Sequence, residues 1–144
     1  MNLSYKAKQL EQMLEQDLGK LMPLTVLPDK SVAYKNYRIQ KTQTGFYELK
    51  YLKTNDSIQR FRTKTSAILA AKFYDKNNFI RYNEVINLDE RYYNNSIDSE
   101  IFAHRIKTTK DLDRKDLFQW RYEITKHRAK AYKDELTRMF KTHF

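Results

Sequence analysis

The chain has 144 residues and a mass of 17.5 kDa, enough for one domain with its own core. Hydrophobic residues make up 40% and charged residues 32%, with a formal net charge of +10 and no cysteine. Disulfides and every cysteine-based zinc, haem or redox motif are thereby excluded, and no aliphatic run approaches the ~20 residues of a membrane span.

The expectation is therefore a soluble, basic protein of a reducing compartment, with no secretory signal in residues 1–6. Only two glycines and two prolines occur, where average usage would give about ten and seven. All four (Gly19, Pro23, Pro28 and Gly45) lie in the first third. Turns should cluster before residue 60 and long helices should follow.

Leu3, Ala7, Leu10, Leu14, Leu18 and Leu21 recur at spacings of three and four, one face of a helix over about 3–21 that Gly19 and Pro23 bring to an end. Residues 24–62 read as strands. A short one over 24–27 closes at Pro28-Asp29-Lys30, residues 37–41 alternate apolar and polar, and Gln43-Thr44-Gly45 turns the chain. Residues 46–53 alternate again, and Asn55-Asp56-Ser57 leads into 58–62. Period-two geometry puts Tyr47, Leu49 and Tyr51 on one sheet face and Glu48 and Lys50 on the other. With Tyr37 and Ile39 on the core side, Arg38 and Gln40 face outward, and Arg60 and Arg62 join them. One face is apolar, the other basic.

Thr65 is the expected N-cap of a helix through Tyr74, placed to cover the apolar sheet face. A second helix spans about 79–106, with an interruption expected at Asn94-Asn95-Ser96. Thr108 followed by Asp111 resembles a capping box for a last helix over about 111–142. On it Leu117, Ile124, Ala131 and Met139 form a stripe, widened by Phe118, Tyr132, Leu136 and Phe140. Arg121 and Arg128 fall inside that stripe, where each lays its stem over apolar surface or pairs with an acid. Lys115, Lys126, Lys130, Lys133, Arg138 and Lys141 occupy the opposite arc. The fold class is α+β: a single domain over 1–144, with an N-terminal helix, a small antiparallel sheet of three or four strands over about 24–62, and mainly long helices over about 65–142.

Charge is unevenly placed along this plan. Net charge is zero over 1–30, +6 over 31–64, −1 over 65–106 and +5 over 107–144. Two basic blocks make the footprint of an acidic partner or, equally, a lysine-rich solvated surface from an AT-rich genome.

Chemistry-bearing motifs are weak. Pro28-Asp29 followed by Glu48-Leu49-Lys50 matches the loose PD-(D/E)xK pattern of metal-dependent nucleases, in which Asp29 and Glu48 hold Mg²⁺ and Lys50 stabilises charge. The same residues read as a turn and a strand, and no strand follows the 65–76 helix to complete such a core. Glu100 and His104, one helical turn apart, lack a third ligand. His127 and His143 lack an acid–base partner. Asp111, Asp113 and Asp116 lack the glycine and terminal Glu of a calcium loop, and suit a helix N-terminus instead. These ligand sets are incomplete, so no metal is expected, and two glycines cannot build a phosphate loop, so no nucleotide cofactor is expected. Tyr92, Tyr93, Tyr122 and Tyr132 at helical spacing read as core and rim. Residues 37–74 follow the plan of small DNA-binding domains in which one helix backs a three-stranded sheet, an analogy of architecture only.

Leu27-Pro28-Asp29, Tyr37-Arg38-Ile39, residues 65–74 (TSAILAAKFY) and residues 88–94 (LDERYYN) together resemble small proteins of marine tailed phages that infect cyanobacteria. Ala131-Tyr132-Lys133 and Met139-Phe140-Lys141 fit the same resemblance. It implies a viral product in the cytoplasm of an infected bacterium or in a virion, and it brings no catalytic site. Three functions remain open. The first is DNA or RNA binding, mostly to phosphates, through Arg38, Lys50, Arg60, Arg62, Lys126, Lys130 and Lys133. The alternative is a structural protein, or one that binds a viral or host protein or itself through its amphipathic helices. An enzyme, the nuclease, is the minor alternative.

Overall fold

The computed structural model describes residues 24–143; the helix expected over 3–21 lies outside them. Five strands form an antiparallel sheet in sequence order: β1 (Leu24–Val26), β2 (Val32–Tyr34), β3 (Tyr37–Lys41), β4 (Tyr47–Tyr51) and β5 (Ser57–Phe61). The expectation of three or four strands missed β2. It has three residues, all buried, so it offers no alternation to read. Its hairpin into β3 turns at Lys35, held at φ 51°, a left-handed position without a glycine to announce it. Among the described residues, Gly45, at φ 89°, occupies the one turn where glycine answers such a demand.

Three helices follow: α1 (Lys64–Asp75), α2 (Phe79–Thr108) and α3 (Leu112–His143). The N-cap of α1 is Thr63, not Thr65; its hydroxyl accepts the Ser66 N–H. Ser66, Ala67, Ile68, Leu69, Ala70, Ala71 and Phe73 of α1 are all buried. Burial on every side follows from its place between the sheet and the other two helices, and its alanines let both neighbours approach closely. Tyr34, Ile39, Leu49 and Phe61 of the sheet meet Ile68, Leu69 and Phe73 there, and Val85, Leu136 and Met139 close the core from the far side. At one edge Tyr51 and Tyr74 share a hydroxyl hydrogen bond of 2.6 Å, which together with burial pushes the Tyr74 phenol up to about 12.

The helices α2 and α3 form an antiparallel hairpin about 45 Å long. No interruption occurs at Asn94-Asn95-Ser96. Asn95 donates to the Arg91 carbonyl at 2.7 Å and Ser96 to that of Tyr92 at 2.8 Å, so both side chains are satisfied within the helix. The cap of α3 is Asp111, whose carboxylate accepts the N–H groups of Asp113 and Arg114, while the Thr108 hydroxyl bonds back into the end of α2.

Of the stripe expected on α3, Phe118, Tyr132, Leu136 and Met139 are among the covered residues of the hairpin, while Leu117 and Ala131 are not. Buried or half-buried positions run Phe118, Tyr122, Thr125, Ala129, Tyr132, Leu136, Met139 on α3, and Tyr82, Val85, Asp89, Tyr92, Ser96, Ser99, Ala103, Ile106 on α2. Both alternate spacings of three and four, the seven-residue repeat of a two-helix seam. By contrast Leu117 is 45% exposed, and Ala131, Arg121 and Arg128 are exposed. The polar seam residues close their own hydrogen bonds: the Thr125 hydroxyl donates to the Arg121 carbonyl at 2.8 Å and Ser99 to that of Ser96 at 2.8 Å.

Candidate nucleic-acid interface

Cross-strand register builds the outward sheet face in two rows. Arg38 of β3 lies opposite Lys50 of β4. One step along, Gln40, Glu48 and Arg60 line up across β3, β4 and β5. Like charges directly opposite repel, and Lys50 turns diagonally, donating to Gln40 Oε1 at 3.2 Å and pairing with Glu48 Oε2 at 3.3 Å. Arg60 holds the other carboxylate oxygen at 3.1 Å. Hydrogen bonding from Arg60, then from Lys50, keeps the Glu48 carboxyl below the ordinary range against the pull of burial. Arg38 reaches Asn55 at 3.5 Å, with its Nε buried and unpartnered.

Arg62 continues the face past the end of β5 but stands in a different setting. Its guanidinium lies 5.0 Å from the Phe46 ring centre and 5.1 Å from that of Tyr93 on α2, and the two rings meet edge to face at 5.6 Å. Arg60 covers the same Phe46 ring at 5.8 Å. Such contacts stabilise a cation by about 0.5–2 kcal/mol. Arg62 thus joins the sheet to the hairpin, while Arg38, Lys50 and Arg60 face outward.

The lysines of α3 take a subsidiary place. Writing the seam repeat as abcdefg with a and d facing the partner helix, Tyr93, Lys126 and Lys133 fall at e and Lys130 at b, all on one flank of the hairpin. Glu90, Glu100, Asp116 and Glu123 share that flank, so its cations prevail only near Tyr93. The structure brings four of the sequence-selected cations together on the sheet and sets the other three on a mixed flank.

The nuclease candidates Asp29, Glu48 and Lys50 each hold partners of their own. Asp29 is engaged by the backbone N–H and hydroxyl of Ser31 at 3.0 and 2.5 Å, the closing bonds of a turn, and these hold its carboxyl low. Both oxygens of Glu48 are in ion pairs. Among the described residues no three His, Cys, Asp or Glu side chains gather as a metal group. His143 packs against the Phe73 ring at 4.9 Å, and burial lowers its affinity for a proton. Among the described residues no helix is long and apolar enough to cross a membrane.

Sequence reading missed a second basic surface. The two long helices carry seven arginines: Arg81, Arg91 and Arg105 on α2, and Arg114, Arg121, Arg128 and Arg138 on α3. Every one falls at c or g, the flank opposite Tyr93, and all are exposed. The lysines of these helices, Lys107, Lys115, Lys126, Lys130, Lys133 and Lys141, all lie elsewhere. Only the seam, once known, reveals this segregation. No protein-family model matches the chain, and no curated protein or solved structure matches it.

Proposed function

We propose that this chain is a nucleic-acid-binding accessory protein, of the phage type that its hydrophobic motifs resemble, acting in an infected bacterium or in a virion. The observation that carries this reading is the row of cations on one sheet face, where Arg38 lies opposite Lys50 and one carboxylate, Glu48, is shared by Lys50 and Arg60, with Arg62 following beyond β5. Phosphates would be met by Arg38, Lys50 and Arg60, with Lys126, Lys130 and Lys133 as flanking contacts and little sequence reading. The placement of aromatic rings favours a duplex over a single strand. Tyr37 and Tyr51 turn to the opposite face, against Tyr74, and Phe46 is covered by Arg60 and Arg62, so this face lacks the open rings on which unpaired bases stack.

The test is fluorescence anisotropy with labelled duplex and single-stranded DNA. A protein neutralising several phosphates loses about two or more decades of affinity between roughly 50 and 200 mM salt. That loss is the expected result; absence of binding at the lower salt retires the reading. A second reading, a protein-interaction role, is favoured by one observation: Leu112, Leu117 and Trp120 at the start of α3 are 75%, 45% and 59% exposed. In that case binding partners are held without a steep salt dependence.

A further inference from the structure

The arginine flank of the hairpin is a surface distinct from the basic sheet face. On α3, Leu117, Arg121, Ile124, Arg128 and Ala131 follow one another at spacings of four and three, a second seven-residue seam displaced by one residue from that facing α2. Leu117, Arg121, Arg128 and Ala131 of this row are exposed and Ile124 is half-buried. Across the groove α2 contributes Leu88, Arg91, Phe102 and Arg105. The contacts across this flank confirm its geometry: Arg121 lies over the Phe102 ring at 5.9 Å, Arg105 over Phe118 at 5.7 Å, and Arg91 over Tyr132 at 5.9 Å.

At the hairpin base Arg81 pairs with Glu84 at 2.8 Å and Arg138 with Glu135. Arg114 pairs with Asp111 at 3.8 Å near the turn. Between these ends Arg91, Arg105, Arg121 and Arg128 have no carboxylate partner among the described residues, and the first three lie within 6 Å of aromatic ring centres. Arginine is the weakly hydrated cation suited to a partly dried interface, with a planar fork that matches a carboxylate. Lysine, more strongly hydrated, is absent from the flank. This division is a choice of chemistry that lysine-rich composition does not explain.

We infer that this flank docks an acidic amphipathic helix of a partner protein, which lays apolar residues against Leu117, Ile124 and Ala131 and sets carboxylates seven residues apart against Arg121 and Arg128, completing a three-helix bundle. A second copy of this chain is a poor occupant, because a two-fold contact would bring the arginines against one another. A duplex backbone is also a poorer fit, since it has no counterpart for leucine and isoleucine at helical spacing. The uncovered stretch, from Leu117 to Ala131, matches a helix of about four turns.

The test uses a synthetic peptide of three heptads, about 21 residues, with Leu at the seam positions and Glu beside them, and a control with Lys in place of Glu. Trp120, the chain's one tryptophan, stands next to Leu117 on the helix surface, so its emission reports occupancy. The Glu peptide is expected to bind. The Lys peptide is expected not to bind, and R121A/R128A to weaken the Glu peptide about tenfold or more while the circular dichroism melting temperature stays unchanged. Equal binding of the two peptides, or of neither, overturns the proposal. So does displacement of the Glu peptide by duplex DNA whose own affinity falls in R121A/R128A, because the flank is then a nucleic-acid surface. A marked drop in melting temperature of R121A/R128A alone overturns it as well, by showing that the chain's own residues already occupy the flank.

Discussion

The carboxylate of Asp89, on α2, accepts the backbone N–H of Arg62 at 2.8 Å and that of Thr63 at 3.2 Å. Asp89 is 1% exposed. A side chain from the hairpin thus satisfies two backbone donors at the junction between β5 and α1, and it fixes where the sheet, the central helix and the hairpin meet. The same junction carries Arg62 into its place between Phe46 and Tyr93.

Removing that carboxylate leaves two N–H groups without an acceptor. Asp89→Ala is expected to cost about 2–4 kcal/mol, and Asp89→Asn, which keeps one acceptor oxygen, about 1–2 kcal/mol. Urea denaturation followed by circular dichroism measures both. Burial raises the Asp89 carboxyl above its ordinary 3.8, more than its hydrogen bonds lower it. The folded state then binds the proton more tightly than the unfolded state, so this residue lowers stability as pH climbs from about 3.8 through the raised value. That component of the pH profile should vanish in Asp89→Asn; an unaltered profile shows that Asp89 titrates normally.

Seam substitutions should act in opposite directions. Ala129 is 7% exposed at the helix contact, and Ala129→Leu is expected to cost about 1–3 kcal/mol by overpacking. Ser99→Ala gains up to about 0.5 kcal/mol of helix propensity and gives up only a bond within its own helix, so it should be neutral or slightly stabilising. Thermal unfolding of the two variants checks the sign.

Glu48 separates the cations of the sheet face. Glu48→Gln removes the negative charge while keeping an acceptor for Arg60, and it should tighten duplex DNA binding and steepen the salt slope by about one. The Glu48 carboxyl is held low, so its stabilising contribution is present above the ordinary glutamate range and is lost as pH falls through the lowered value. Salt-dependent anisotropy reads the first effect and acid denaturation the second.

Arg38, Arg60 and Arg62 should not behave alike. Arg38→Gln with Arg60→Gln, which adds no carboxylate opposite Glu48, is expected to remove most DNA affinity with a small change in melting temperature, since Arg60 is 52% exposed and a surface ion pair contributes little. Arg62→Glu should lower the melting temperature too, because it breaks contacts to Phe46 and Tyr93. If affinity survives the Arg38 and Arg60 changes intact, the sheet face is not the site.

Local pattern alone determined much of this fold. Alternation over 37–41 and 46–53 assigned β3 and β4 and sorted Arg38, Glu48 and Lys50 from Tyr37, Leu49 and Tyr51, because a strand can send neighbouring side chains only to opposite faces. The aliphatic run at 67–71 marked the central helix, and the rarity of glycine and proline marked the long ones. The tertiary structure alone decided which stripe of α3 faces α2. Hydrophobicity picked Leu136 and Met139, which are buried, but also Leu117 and Ala131, which are exposed, and it passed over Thr125 and Ala129, which are buried, since small side chains let helices approach and a Ser or Thr hydroxyl can satisfy itself on its own helix. Asp89 as a remote partner of Arg62 and Thr63, Tyr93 against Phe46, and the gathering of seven arginines on one flank all depend on residues far apart in the chain. Periodicity reports the face a residue occupies; only packing determines which face is covered.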